Sequence, residues 1–136
     1  MTSPALRTRY LSDSVATASP ARLLIMLYER LVVDLSQAEA ALGVGDRVTA
    51  GPRLLHAQEI LVELHASLRP DLWDGAANLA DLYGFLLTEL VAANVEGDAH
   101  RVAVCRTLVE PLLDAWRQAA AELAAGSTAS PASLVA

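Results

Sequence analysis

The chain has 136 residues, the size of one domain able to bury a core, and it contains no internal repeat. It is 54% hydrophobic but only 4% aromatic and is rich in alanine and leucine, strong helix formers, which excludes a β-rich architecture and points to an all-α protein. Ten basic residues, all arginine, stand against sixteen acidic ones for a net charge of −6, and such a surface repels phosphate, so nucleic acid is excluded as a partner.

In chain order, residues 1–19 read as a mobile N-terminal segment, and the first helix starts at Ser19-Pro20. Ser19 can accept a hydrogen bond from a free N–H of the first turn, while Pro20 has a suitable φ and no N–H to leave unpaired. Leu24, Leu27, Leu31, Leu35, Ala38 and Leu42 form its apolar stripe, and Gly43 and Gly45 end it. The run Leu23–Tyr28, with Arg7 and Arg9 upstream, has the look of a signal-peptide core. Glu29 and Arg30 cut it short, however, the helical pattern continues, and no small-residue cleavage site follows. No other stretch is expected to reach the length needed to span a bilayer, so the expectation is a cytosolic protein without membrane insertion.

The second block carries Leu54, Ala57, Leu61, Leu64 and Leu68 and stops at Pro70. Gly51-Pro52 falls where this helix would already be under way if Asp46 capped it, so the regular helix is expected to begin at Pro52 or bend sharply there. The third carries Leu79, Leu82, Tyr83, Leu86, Leu90 and Ala93 and closes at Gly97. The fourth starts at Asp98, a good N-cap, and runs through Cys105, Leu108, Leu112, Ala115, Ala119 and Leu123, with a kink expected near Thr107 because of Pro111. Residues 124–136 are small and polar and read as a disordered tail. Short connections between blocks of similar length predict an antiparallel up-and-down four-helix bundle over residues 20–123.

Cys105 is the sole cysteine, which rules out an internal disulfide, and its apolar neighbours suggest a buried thiol in a reducing compartment. No catalytic constellation emerges. A di-metal carboxylate bundle needs Glu-x-x-His, which is absent, and His56, His65 and His100 read as surface or boundary residues rather than ligands. Glu59, Glu63, Asp71 and Asp74 would make a magnesium-dependent bundle hydrolase only by converging beside phosphate-binding groups; a solvated helix face with turn and cap residues is the simpler reading. The chain therefore reads as a non-enzyme without cofactor or metal.

What remains is an apolar excess. Ile25, Val32, Ile60, Val62, Leu87, Val91, Val102, Val109 and Leu113 flank the stripes. They either broaden the core or leave grooves between helices that suit an amphipathic partner helix, and composition weighs the two equally.

Four motifs, in order and in register, break the tie. Tyr10-x4-Val15-x-Thr-Ala-Ser-Pro-x2-Leu-x2-Met-Leu-Tyr28, then Ala57-Gln58-Glu59-Ile60 with Glu63-Leu64, then Asn78-Leu79-x2-Leu82-Tyr83 with Ala93-Asn94, and finally Leu112-x3-Trp116 together resemble the flagellar export chaperone family FliS from about Tyr10 to Ala120. Gly51-Pro52, Trp73 and the absence of lysine are departures from it.

The resemblance implies a cytosolic chaperone that binds the disordered C-terminal segment of flagellin, prevents premature polymerisation and aids delivery to FlhA, the gate component of the flagellar type III export apparatus. In the family the N-terminal segment takes part in docking, which makes Tyr10 and Val15 contact candidates; Tyr28, Tyr83 and Trp116 lie at motif positions, and Ile60, Leu64, Leu86 and Leu113 are candidate groove residues. Whether the free protein forms a homodimer through its grooves is left open. The rival readings are a generic helical adaptor for another protein and, less favoured, the magnesium-dependent hydrolase.

Overall fold

The computed structural model describes residues 19–69, 71 and 73–129, without the side chains of 127–129. Four helices follow one another: α1 (Pro20–Gly43), α2 (Arg47–Ser67), α3 (Ala76–Glu96) and α4 (Ala99–Ala129). Each packs on its neighbours in sequence, and α4 returns against α1, which closes an all-α, antiparallel up-and-down four-helix bundle. Tyr10 and Val15 lie outside the described residues.

The helix ends are set by local chemistry. Ser19 Oγ accepts from the Arg22 N–H at 3.2 Å ahead of Pro20. Gly45, at φ +75°, reverses the chain after α1, and the Asp46 N–H returns to the Ala41 carbonyl at 2.8 Å. Asp98 Oδ1 accepts from the His100 N–H at 2.9 Å at the start of α4. Gly97, at φ +69°, terminates α3, and its N–H reaches the Ala93 carbonyl at 2.8 Å. Arg47, from the first turn of α2, lies over that end and donates to the Asn94 and Val95 carbonyls at 2.8 and 2.7 Å. A cation on exposed carbonyls at the negative pole of a helix is a favourable cap, and it ties α2 to α3.

Two boundaries differ from the sequence expectation. α2 begins at Arg47, not Pro52: Asp46 Oδ1 accepts from the Thr49 N–H at 3.1 Å, and the helix runs through the proline. The carbonyl deprived of its partner by Pro52 belongs to Val48, a residue 87% exposed, so water can replace the lost bond. α4 also continues to Ala129, past the boundary expected at 123.

The core is one cluster built from all four helices, with Leu31 and Leu35, Leu54 and Leu61, Leu86 and Leu90, and Val102 and Val109 among its members. On α2 and α3 the buried residues follow the predicted stripes. On α1 the buried face includes Ile25 and Tyr28, while Leu24 and Leu27 are only partly covered. On α4 the difference is larger. The helix buries Val102, Cys105, Val109 and Leu113, whereas Leu108 and Leu123 are exposed at 38% and 55% and Leu112 is half-buried. From Leu108 onward the expected stripe therefore turns away from the core, while its first member, Cys105, lies inside it. One helix also departs from the expectation that no stretch could cross a membrane: α3, 21 residues long with an 18-residue window of mean hydropathy 1.2, meets the requirement of length and composition. In the bundle, one of its faces is core and its Glu89 pairs with Arg101 of α4 at 2.9 Å.

Two polar clusters lie inside the bundle, while Trp116 Nε1 is buried without a hydrogen-bond partner among the described residues. The hydroxyls of Tyr28 and Tyr83, both fully buried on opposite helices, hydrogen-bond each other at 2.5 Å. Asp34, fully buried on α1, receives Arg30 at 2.9 Å and Arg53 at 3.7 Å, and hydrogen-bonds His56 Nδ1. The cations of this cluster keep contact with water, since the Arg30 and Arg53 side chains are 43% and 41% exposed. The consequences of truncation are accordingly unequal. Asp34→Leu leaves only solvated cations and is expected to cost less than about 1 kcal/mol, whereas Arg30→Ala with His56→Ala leaves a buried carboxylate with only the more distant Arg53 and should cost about 3 kcal/mol in urea unfolding at neutral pH.

Burial pushes the Cys105 thiol up to about 12 and also raises both tyrosine hydroxyls, Tyr83 further through its bond to Tyr28. These groups hold their protons more tightly folded than unfolded, so their contribution is complete below the unfolded values and is lost as pH rises through the folded ones. Stability measured by urea midpoint should therefore fall once pH exceeds about 8.5, the ordinary thiol value, and Cys105→Ala should delay that fall towards about pH 10, where the tyrosines begin to titrate in the unfolded chain.

Candidate functional site

The apolar surface left over by the core collects into grooves. The first, about 340 Å³, opens at the end of the bundle where α2 gives way to α3 and is walled by Leu24, Leu68, Trp73, Leu79 and Trp116, with Leu64 and Tyr83 beneath. The second, about 480 Å³, follows the α3–α4 seam and is lined by Leu82, Leu112, Ala115 and Ala119 as well as Trp73, Leu79 and Trp116. Because the last three residues border both, the two grooves form one continuous apolar surface.

Two further grooves lie between α1 and α4. The larger, about 710 Å³, is formed by Ala21, Ile25, Ala120 and Leu123 near the start of α1. The other, about 390 Å³, has Val32, Val33 and Leu113 within a charged rim of Glu29, Glu110, Asp114 and Arg117.

The α3–α4 seam is open for two reasons. Small side chains at Ala115 and Ala119 leave room beside Leu82, and α3 packs on α4 less extensively than α1 does. Charge placement differs as well. Arg106 reaches Glu39 at 3.1 Å and Arg117 reaches Glu29 at 3.0 Å, fastening α4 to α1. Among the described residues the only ion pairs between α3 and α4 are made by Arg101, with Glu89 at 2.9 Å and Glu96 at 3.1 Å, all near the start of α4. The rest of the seam is apolar, which suits burial of another apolar helix face.

The sequence-predicted residues divide accordingly. Tyr28, Ile60 and Leu86 are at most 5% exposed and packed within the core. Their bulk is occupied by the bundle itself, and neither Ile60 nor Leu86 lines any of these four grooves. Leu64 and Tyr83 are equally buried but form the floor of the end groove, Leu113 the floor of a charged-rim groove, and Trp116 a wall shared by two. The Trp116 ring leans on Tyr28 with centroids 6.1 Å apart. Sequence reasoning missed Leu68, Trp73, Leu79, Leu82, Leu112, Ala115 and Ala119 as groove-lining residues. The available signal was the presence of two adjacent apolar stripes on α4.

The carboxylates weighed for hydrolysis, Glu59, Glu63, Asp71 and Asp74, are all exposed and do not converge, so the geometry demanded by that alternative is not met. His56 is a boundary residue as expected, engaged by Asp34.

The fold is a closed helical core bordered by open apolar grooves. The family model for the flagellar protein FliS matches residues 2–123 of the chain. The chain is 31% identical over 112 residues to the flagellar secretion chaperone FliS of Bacillus subtilis, covering 82% of this chain and 84% of the relative. It is 32% identical over 108 residues to that of Salmonella typhimurium, covering 78% and 80%. A crystal structure of a bacterial flagellar chaperone shares the fold, with a TM-score of 0.70 at 22% identity over 87% of this chain and 97% of the other. The chain belongs to the FliS family, the flagellar secretion chaperones.

A carboxylate placed in the seam tests the division between groove and core. Ala115→Asp and Ala119→Asp, both at exposed positions, should shift unfolding by no more than about 0.5 kcal/mol yet lower the uptake of an apolar fluorescent dye. Leu86→Asp should cost more than about 3 kcal/mol in the same unfolding assay.

Proposed function

We propose that the chain acts in the cytosol as an export chaperone that captures the disordered C-terminal segment of flagellin, prevents its premature polymerisation and aids its delivery to FlhA at the type III export gate. The observation that carries this reading is the continuous apolar surface around Trp73, Leu79 and Trp116, which stands outside a core already closed by its own side chains. Membership of the FliS family supports a flagellar cargo.

The mechanism is folding coupled to binding. The cargo segment gives up chain entropy to become a helix and gains burial of its apolar face, so a long, shallow track serves better than a deep pocket. Covering that face removes the surface through which subunits would join one another. Tyr10 and Val15 are the proposed contacts in the N-terminal segment, the tyrosine combining an apolar ring with a polar tip. A second copy of the chain is the competing occupant of the same surface in the absence of cargo.

Calorimetry with a synthetic flagellin C-terminal segment tests the reading. The expected result is stoichiometric binding with a negative heat-capacity change and a gain of helical circular dichroism; Ala119→Asp should weaken it by about tenfold or more at unchanged stability. Neither heat nor added helix on mixing would refute the proposal.

A further inference from the structure

The connection between α2 and α3 carries two groups whose individual parts the reading above does not assign. Trp73 is 47% exposed, and it borders both the end groove and the α3–α4 groove. Its position depends on Gly75, because a Cβ there would stand 2.0 Å from the indole Cζ3 and 2.6 Å from Cε3. The ring thus lies directly over the glycine, and any larger residue would drive it off.

Arg69, at the rim of the end groove, is exposed. Every other described arginine meets a carboxylate or, in the case of Arg47, backbone carbonyls; Arg69 alone among them has no partner within the described residues.

We infer that this connection selects the cargo helix: Trp73 is the flat apolar face on which one of its large side chains packs, and Arg69 takes an acidic side chain beside that anchor. The inference rests on the flagellin reading and adds to it a requirement on the cargo's chemistry. An uncommitted guanidinium next to apolar walls favours a carboxylate, which it can hold through two parallel hydrogen bonds. In a chain of net charge −6, acidic helices are disfavoured over most of the surface, so the one arginine without a partner among the described residues, at the groove rim, fixes where the acid must lie and hence the register of the helix. An exposed tryptophan ring packed against a glycine presents a broad apolar face to a partner, and residues of this kind dominate interfaces.

The experiment is a titration with the synthetic flagellin C-terminal segment. The chain has two tryptophans, so in Trp116→Phe the emission comes from Trp73 alone; it is expected to shift to the blue and to be shielded from acrylamide on binding. By calorimetry on the otherwise unaltered chain, which does not depend on Trp116→Phe folding, Trp73→Ala and Arg69→Glu should each weaken binding about tenfold with thermal unfolding unchanged. Gly75→Ala should weaken it in the same direction by displacing the ring. Peptides with one acid at a time replaced by lysine should include one that restores affinity to Arg69→Glu. Wild-type binding matched within twofold by Trp73→Ala and Arg69→Glu, or no restoring peptide in the series, overturns the inference and leaves the flagellin reading standing. Failure of the wild-type protein to bind removes both.

Discussion

A helix in a four-helix bundle can turn only part of its circumference toward the centre, and α4 has more apolar surface than that part can hold. Val102, Cys105, Val109 and Leu113 occupy the inward arc; Leu112, Ala115 and Ala119 are left beside α3. Much else follows from this allocation. It leaves the α3–α4 seam lined with small and apolar groups and joins that seam to the end of the bundle through Trp116. The outward stripe is thus what leaves this bundle open along one seam.

Polar interactions decide how the helices meet while contributing little of the bulk attraction. The Tyr28–Tyr83 hydroxyl pair joins α1 to α3 across the centre, and neither hydroxyl could slide along the core without losing its partner in a dry environment. Asp34 plays a comparable part between α1 and α2 through Arg53 and His56. Arg47 adds a third tie, from the start of α2 to the last carbonyls of α3. Three pairs of helices are each held in register by a distinct polar contact, and the hydrophobic surface around them can then be smooth and adaptable.

Much of this was legible in the sequence. The starts at Ser19-Pro20 and Asp98 and the stop at Gly97 are written in residues whose chemistry has few other uses, and the α2 and α3 stripes stand out by their unbroken helical spacing. The family motifs told which family the bundle belongs to. Periodicity could not rank the two stripes of α4, since both are apolar, both repeat at helical spacing, and only the fit against α1 distinguishes them. Pro52 misled because local rules count the lost hydrogen bond and not the water that can replace it. Asp34 was invisible for the opposite reason: a carboxylate between Leu31 and Ala38 on a core stripe makes sense only with Arg53 and His56, twenty residues away in sequence and adjacent in space.

Leu64 and Tyr83 belong to the core and to the floor of the end groove at once, while Ala115, Ala119 and Trp73 belong to the walls alone. Natural variation is therefore channelled. A lineage whose secreted subunit drifts in sequence can follow it by exchanging wall residues without endangering its own folding, but the floor is closed to such exploration, and substrate preference in descendants of this chain should diverge from the rim inward.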